Sequence, residues 1–172
     1  LGCYSFPLTD IVIIDPFIFK EDKNKCVKTL ENNLNKWLGV ISSSSNCKVN
    51  IVIIYNPSNV SFELEKTREK IVNHLNKLIG KKPLVTFVPT FKEHDRTIIT
   101  NYIRITGNTF TYWGNNGEKV TKGKEIIIRS LGKMEYYNNA IEALADVQSI
   151  INTAKLNKSI TGDLDSNFLN FN

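Results

Sequence analysis

The chain has 172 residues, of which 41% are hydrophobic and 23% charged, and its formal net charge is +5. This length and composition predict one soluble domain that buries its core without disulfides. They exclude a membrane span, because no apolar run reaches the ~18 residues that a transmembrane helix needs, and no signal-peptide pattern opens the chain. The three cysteines form no C-x-x-C motif, so we expect free thiols in a cytoplasmic protein, with no metal site and no cofactor.

The basic charge indicates the class of partner. A net charge of +5 and an isoelectric point near 9.1 favour anionic partners such as nucleic acid or acidic phospholipid headgroups. An ordinary solvated surface of a domain this size can carry the same charge. Because the sequence begins at Leu1 rather than Met, we expect a piece of a longer protein with neighbouring domains.

The first half of the chain alternates apolar strands with amphipathic helices. Short runs of β-branched residues predict buried strands at 11–14, 49–55 and 84–88. Between them, apolar residues at three- and four-residue spacing predict helices at about 22–38 and 61–79. Two strand–helix–strand crossovers predict that the three strands pair in parallel.

The second half has shorter strands and a long helix. Segments 97–105, 109–113 and 125–129 are separated by glycine-containing turns and predict antiparallel strands. Residues 134–156 predict one helix, with one face lined by Tyr137, Ile141, Leu144, Val147 (or Gln148) and Ile151.

The predicted fold class is therefore α/β, with a mixed parallel and antiparallel sheet flanked by helices. We expect a single domain over residues 1–157. The polar residues 158–172 predict a flexible C-terminal tail.

The segment that runs from His94 to Asn101 holds the candidate site, with the spacing His-x-Arg-x4-Asn. In an extended chain the side chains of His94 and Arg96 point the same way, about 7 Å apart. An imidazole beside a guanidinium can bind a phosphate or a carboxylate, because arginine offers a planar fork of donors. In the alternative interpretation His94 pairs with Asp95, and Arg96 is a solvated charge at a strand edge.

This spacing resembles the H-x-K-x4-D motif of the phospholipase D superfamily, with Arg96 in place of lysine and Asn101 in place of aspartate. Gly107-Asn108 lies where that family often carries Gly-Ser. The order of elements over residues 10–130 is similar to the phospholipase D-like C-terminal domain of eukaryotic proteins that also carry a microtubule-interacting and trafficking domain. That similarity runs through Ile11–Pro16 with Phe17, Lys48–Tyr55, His94–Asn101 and Ile105–Gly107. The resemblance implies a phospholipase D-like fold and a phosphate-binding site.

The resemblance also bears on catalysis. In the superfamily two histidines face each other, one attacking phosphorus and the other protonating the leaving oxygen. Only His94 matches here, because the surroundings of His74 lack the motif. A two-histidine site would need a homodimer with one His94 from each subunit. Since Arg96 retains phosphate binding and Asn101 lacks the carboxylate charge, we expect binding rather than turnover.

Three further residues are candidates for the rim of the site. Asp15 and Tyr55 end the first two strands, where the ligand crevice of an open α/β sheet commonly opens, and Asn108 follows the glycine of the resemblance. In the alternative interpretation Asp15-Pro16 is only a turn that ends a strand.

Three functions follow from these observations. The leading hypothesis is a noncatalytic phospholipase D-like module that binds phosphate-bearing polyanions, either phospholipid headgroups at a membrane surface or nucleic acid. The first alternative is a homodimeric, metal-independent phosphodiesterase or nuclease that uses His94 from each subunit. The second alternative is a protein-interaction scaffold with a vestigial site.

Overall fold

Runs of β-branched residues form a seven-stranded sheet, and a 23-residue helix packs against it. The computed structural model describes residues 8–19, 48–60, 69, 72, 73, 75–77, 83–92, 95–108 and 125–172. The strands are β1 (Asp10–Ile14), β2 (Asn50–Tyr55), β3 (Leu84–Pro89), β4 (Arg96–Thr100), β5 (Ile103–Gly107), β6 (Ile126–Ser130) and β7 (Thr161–Gly162). The helix, α1, spans Met134–Leu156. A short 3-10 turn, Pro57–Asn59, follows β2.

The sheet is parallel in its middle and antiparallel on both sides. The strand order is β6-β5-β4-β1-β2-β3-β7. β1 pairs with β2, and β2 with β3, in parallel, while the other four pairings are antiparallel. The prediction of an α/β fold with a mixed sheet, parallel over its first three strands, is confirmed.

The predicted strand 97–105 is instead two strands joined by a tight turn. The hydroxyl of Thr100 accepts hydrogen bonds from the backbone N–H groups of Tyr102 and Ile103, both at 3.1 Å. A threonine that bonds to the backbone two residues on favours a turn over an extended chain, so β4 folds back into β5. The predicted strand 109–113 and the predicted helix 22–38 lie outside the described residues. Within the predicted helix 61–79, the described residues 69, 72, 73 and 75–77 are helical.

Both faces of the central strands are buried, which explains why these strands are apolar without alternation. Odd-numbered residues of β1 and β2 belong to one hydrophobic cluster with Leu75 of the helical segment before β3. Even-numbered residues of the same strands belong to a second cluster with α1. The side chains of β1 are therefore buried on both sides.

The buried face of α1 differs from the predicted one. Its buried residues are Ala140, Val147, Ile150, Ile151 and Ala154. Two residues predicted to line this face, Tyr137 and Ile141, are each 47% exposed. Because Ala140 and Ala154 lie on the buried side of the helix, the larger Tyr137 and Ile141 lie on its exposed side.

Residues 158–172 pack against the sheet, which differs from the flexible tail that their composition predicts. β7 pairs antiparallel with β3, and the side chain of Leu169 is buried. The carboxylate of Asp163 accepts a hydrogen bond from the backbone N–H of Val85 at 2.8 Å. The polar residues of this segment are thus used for hydrogen bonds to particular partners, and composition alone does not distinguish such use from solvation.

Candidate functional site

A cleft of about 1030 Å³ opens where β1 ends, between α1 and the strands β4 to β6. Its described lining includes four cationic side chains, from Lys92, Arg96, Arg104 and Arg129, and three acidic ones, from Asp95, Glu125 and Asp146. Apolar residues of α1, Ala143, Val147 and Ile150, form part of its wall. No histidine or cysteine occurs among the lining residues that the structure describes.

Arg96 enters this cleft as part of an ion pair with Asp15. Ile14 of β1 lies opposite Thr97 of β4 in the antiparallel register, so the next residues along, Asp15 and Arg96, also face each other. The Nε atom of Arg96 lies 3.2 Å from Oδ1 of Asp15, and the two side chains are 17% and 11% exposed. The guanidinium also lies over the ring of Phe17, with Cζ 4.8 Å from the ring centroid. Arg96 is therefore not the solvated edge charge of the alternative interpretation.

Burial determines the electrostatics of this pair. Loss of solvent raises the pKa of Asp15 above its usual value, and the backbone N–H of Phe17 and the charge of Arg96 oppose that rise. The N–H of Phe17 donates to Oδ1 of Asp15 at 2.9 Å, which orients the carboxylate toward Arg96. The pair thus holds the arginine in one orientation at the mouth of the cleft.

Asn101 and Tyr55 do not join Arg96. Asn101 follows the far end of β4, about 16 Å from Arg96 at the rise of an extended strand, and its Oδ1 accepts a hydrogen bond from the N–H of Thr9 at 3.2 Å. The ring of Tyr55 packs edge-on against Phe19 at a centroid distance of 5.1 Å, and burial raises the pKa of its hydroxyl. Asn101 was predicted to bind the anion and Tyr55 to lie at the rim, but both residues have structural contacts elsewhere.

Of the remaining predicted site residues, two lie at the cleft and one cannot be placed. Asn108 lines the cleft, and Asp15 lies directly behind Arg96 as its ion-pair partner. His94 lies outside the described residues, so its distance from Arg96 stays a prediction.

Arg104 and Arg129 are site residues that the sequence reasoning did not identify. They lie directly opposite each other on β5 and β6. Nη1 of Arg104 donates to the backbone oxygen of Asn139 in α1 at 2.8 Å. Burial lowers the pKa of Arg104, and the charge of Arg129 acts in the same direction, against Asp95 and Glu142. The alternation in Ile103-Arg104-Ile105 was the available signal, because it turns the arginine away from the face that buries both isoleucines.

Two further observations concern metal ions and membranes in the described part of the chain. No group of three or more His, Cys, Asp or Glu side chains there is arranged to hold a metal ion. No described helix combines the length and apolar character needed to cross a membrane. What the described cleft offers is a set of cationic donors, two of them held by neighbouring groups, and such donors suit the binding of an oxyanion.

No protein-family model matches the sequence, and no curated protein matches it significantly. The chain is an α/β protein with a mixed seven-stranded sheet, and its candidate site is the cationic cleft between α1 and β4–β6.

Proposed function

We propose that the protein is a noncatalytic, phospholipase D-like module that binds phosphate-bearing polyanions in the cleft between α1 and β4–β6. The observation that supports this most is the set of four cationic residues along one cleft, two of which are held by neighbouring groups. Arg96 is held by Asp15, and Arg104 by the backbone of Asn139. An arginine that is already ordered loses less conformational entropy when it binds an anion, which favours affinity.

The acidic residues of the cleft affect how such a ligand would bind. Asp95, Glu125 and Asp146 offset most of the cationic charge along the described lining. Recognition would therefore depend on short contacts between individual phosphates and the arginines, more than on a long-range positive field. A phosphate held at Arg96 would lie near the side chain of Asn108, which can donate through its amide.

Binding to polyanions can be measured directly, with the salt dependence as the diagnostic quantity. We expect labelled single- and double-stranded oligonucleotides, or acidic liposomes, to bind at low salt and to dissociate as salt rises. On duplex DNA each neutralised phosphate contributes about −0.9 to the slope of log K against log salt. The ligand class that binds more tightly identifies the partner, either an acidic lipid surface or nucleic acid. Absence of binding to all of them at low salt would favour the protein-interaction scaffold instead.

Two substitutions separate the cleft from the general surface charge. Arg96→Ala removes a fixed guanidinium and should weaken binding by about 1.5–3 kcal/mol if the contact is charge-assisted. Lys48→Ala is the matched control, because Lys48 is 62% exposed and precedes β2, at the end of the sheet away from the cleft. We expect its effect to be small, since an exposed lysine contributes little to binding elsewhere. Equal losses in the two variants would contradict a site in the cleft.

The homodimeric phosphodiesterase is the alternative that these experiments must exclude. Incubation with nucleic acid and a phosphodiester substrate in EDTA tests it, because the superfamily chemistry uses histidine rather than metal. Hydrolysis that disappears in His94→Ala would overturn the noncatalytic proposal. Gel filtration with light scattering adds an independent criterion, because a monomer would have only one His94 to contribute.

A further inference from the structure

Two arginines face each other across neighbouring strands on the α1 side of the sheet. In the antiparallel register of β5 and β6, Arg104 lies opposite Arg129, and both residues line the cleft. Residues directly opposite in such a pair have Cα atoms about 4.5–5.5 Å apart, and like charges there destabilise the pairing. A cross-strand pair of arginines is therefore unfavourable unless another group balances its charge.

Acidic residues line the same cleft, but none of the described ones pairs directly with either arginine. Nε of Arg104 is buried and has no hydrogen-bond acceptor, although Nη1 of the same side chain bonds to the oxygen of Asn139. The guanidinium of Arg129 lies over the ring of Tyr136, with Cζ 5.6 Å from the centroid, which is a weak cation–π contact. Neither arginine forms an ion pair with a described residue: Asp95 and Glu142 influence Arg104 only from beyond salt-bridge distance.

From this geometry we propose that Arg104 and Arg129 form a subsite for one phosphomonoester group. A phosphomonoester carries close to two negative charges at neutral pH, which matches two guanidinium groups. Its terminal oxygens can accept from N–H groups of both guanidinium groups at once. A single carboxylate has one charge and two oxygens, so one arginine fork already satisfies it.

The surroundings of the pair favour this ligand. Thr106 projects from the same face of β5 and lines the cleft, where its hydroxyl can donate to a phosphate oxygen. Ile127, Ala143 and Val147 line the cleft as well and reduce contact with water, which strengthens charge interactions there. This subsite names the chemical group that the cleft would hold. It rests on the proposed function only in that the phosphomonoester would belong to a larger polyanion.

Inorganic phosphate is the probe for the test, with the N–H signals of the arginine Nε atoms followed by two-dimensional NMR. We expect phosphate to shift the Nε–H signal of Arg104, which is assigned by its absence in Arg104→Gln. Phosphate should also raise the melting temperature more than sodium chloride does at the same ionic strength. Arg104→Gln and Arg129→Gln should each weaken phosphate binding about tenfold or more, as loss of a charge-assisted hydrogen bond implies. Lys48→Gln removes one charge at the opposite end of the sheet and should bind phosphate like the wild type.

Stability without phosphate shows whether the variants remain folded. Because substitution of Arg129 removes a like-charge contact, we expect Arg129→Gln to melt no lower than the wild type in phosphate-free buffer. Loss of phosphate binding in a variant of undiminished stability would support the subsite. The inference is overturned if phosphate stabilises the wild type no more than chloride does, or if both arginine variants bind phosphate with unchanged affinity.

Vesicles then distinguish the source of the phosphate group. Phosphatidylcholine vesicles that contain phosphatidic acid present a phosphomonoester, whereas those that contain phosphatidylserine present a diester. Arginine-dependent binding to the former alone would support a lipid headgroup, and phosphate binding without vesicle binding would support a soluble phosphomonoester. Polyanion binding that persists in both arginine variants would overturn the subsite and leave the proposed function standing. Arginine-dependent phosphate binding without any polyanion binding would support the subsite and overturn the proposed function.

Discussion

The carboxylate of Asp10 joins the start of β1 to the segment 158–172, and its removal should release that segment. Oδ1 accepts from the hydroxyl of Ser166 at 3.0 Å and from the backbone N–H of Asn167 at 2.8 Å. Oδ2 accepts from the side-chain amide of Asn167 at 2.6 Å. The amide of Asn50 adds a longer contact to Oδ1 at 3.4 Å. Asp10 is 1% exposed, so these donors provide its main compensation for lost solvent.

The expected cost of Asp10→Ala can be estimated from these contacts. A hydrogen bond to a charged acceptor contributes about 1.5–3 kcal/mol, and three such bonds are lost. The donors of Ser166 and Asn167 can regain water if the segment detaches, and detachment then sacrifices the burial of Leu169, worth about 1.5–3 kcal/mol. Because detachment replaces the lost bonds with bonds to water, the cost is limited to about that of exposing Leu169, and we expect the free energy of unfolding to fall by about 2–3 kcal/mol. Asp10→Asn keeps one acceptor oxygen and the side-chain shape, and should cost about 1–2 kcal/mol.

Urea denaturation measures this loss, and amide hydrogen exchange locates it. Exchange at the N–H groups of Asn167 and Asp163 should accelerate more than exchange in β2. Asp165→Ala is the matched control: it removes a carboxylate from the same segment, but its ion pair with Lys48 is exposed and worth at most about 1 kcal/mol. If Asp10→Ala destabilises no more than Asp165→Ala, the segment is not fixed by Asp10 and the reasoning is refuted.

Three further outcomes test other parts of the structure. Gly162→Ala should destabilise the protein by about 2 kcal/mol or more. Gly162 has a φ of +118°, and an added Cβ would clash with the backbone oxygen of Val85. An unchanged urea midpoint would contradict the pairing of β7 with β3. Burial raises the pKa of Asp15 above 3.8, so just above pH 3.8 the folded state binds a proton at this carboxyl that the unfolded state has released. The free energy of unfolding should therefore fall as the pH rises through this interval. Asp15→Asn should remove that slope, and parallel stability–pH curves for the variant and the wild type would contradict it. Ile151→Ala should cost about 2–5 kcal/mol and Ile141→Ala under about 1 kcal/mol, because Ile151 is fully buried and Ile141 is 47% exposed; equal losses would contradict the orientation of α1.

The sequence predicted those elements that are encoded by local pattern. β1, β2 and β3 are mostly apolar runs, and the crossovers between them predicted parallel pairing. The bounds of α1 agree with the predicted 134–156, because its apolar spacing is continuous over that length. Its buried face was predicted less well, since small alanines, rather than the largest apolar residues, determine where it contacts the sheet.

Contacts between distant parts of the chain were not predictable in the same way. Asp15 and Arg96 were each candidates, but their pairing depends on the antiparallel register of β4 against β1, which no local spacing encodes. β7 has only two residues and depends on tertiary contacts for its position, so it has no periodicity to detect. The opposition of Arg104 and Arg129 likewise requires the register of β5 and β6.

The short strand β7 has a consequence for synthesis of the protein on the ribosome. The contacts that cover the outer edge of β3, from Asp163 to Val85 and from Leu164 to Thr86, each join residues 78 positions apart. During translation β3 is therefore synthesised long before the segment that pairs with its outer edge. Until then the unpaired edge of β3 is open to pairing with other chains. A chain interrupted after α1 would keep that edge exposed, so truncated products should aggregate and depend on chaperones more than the full chain does.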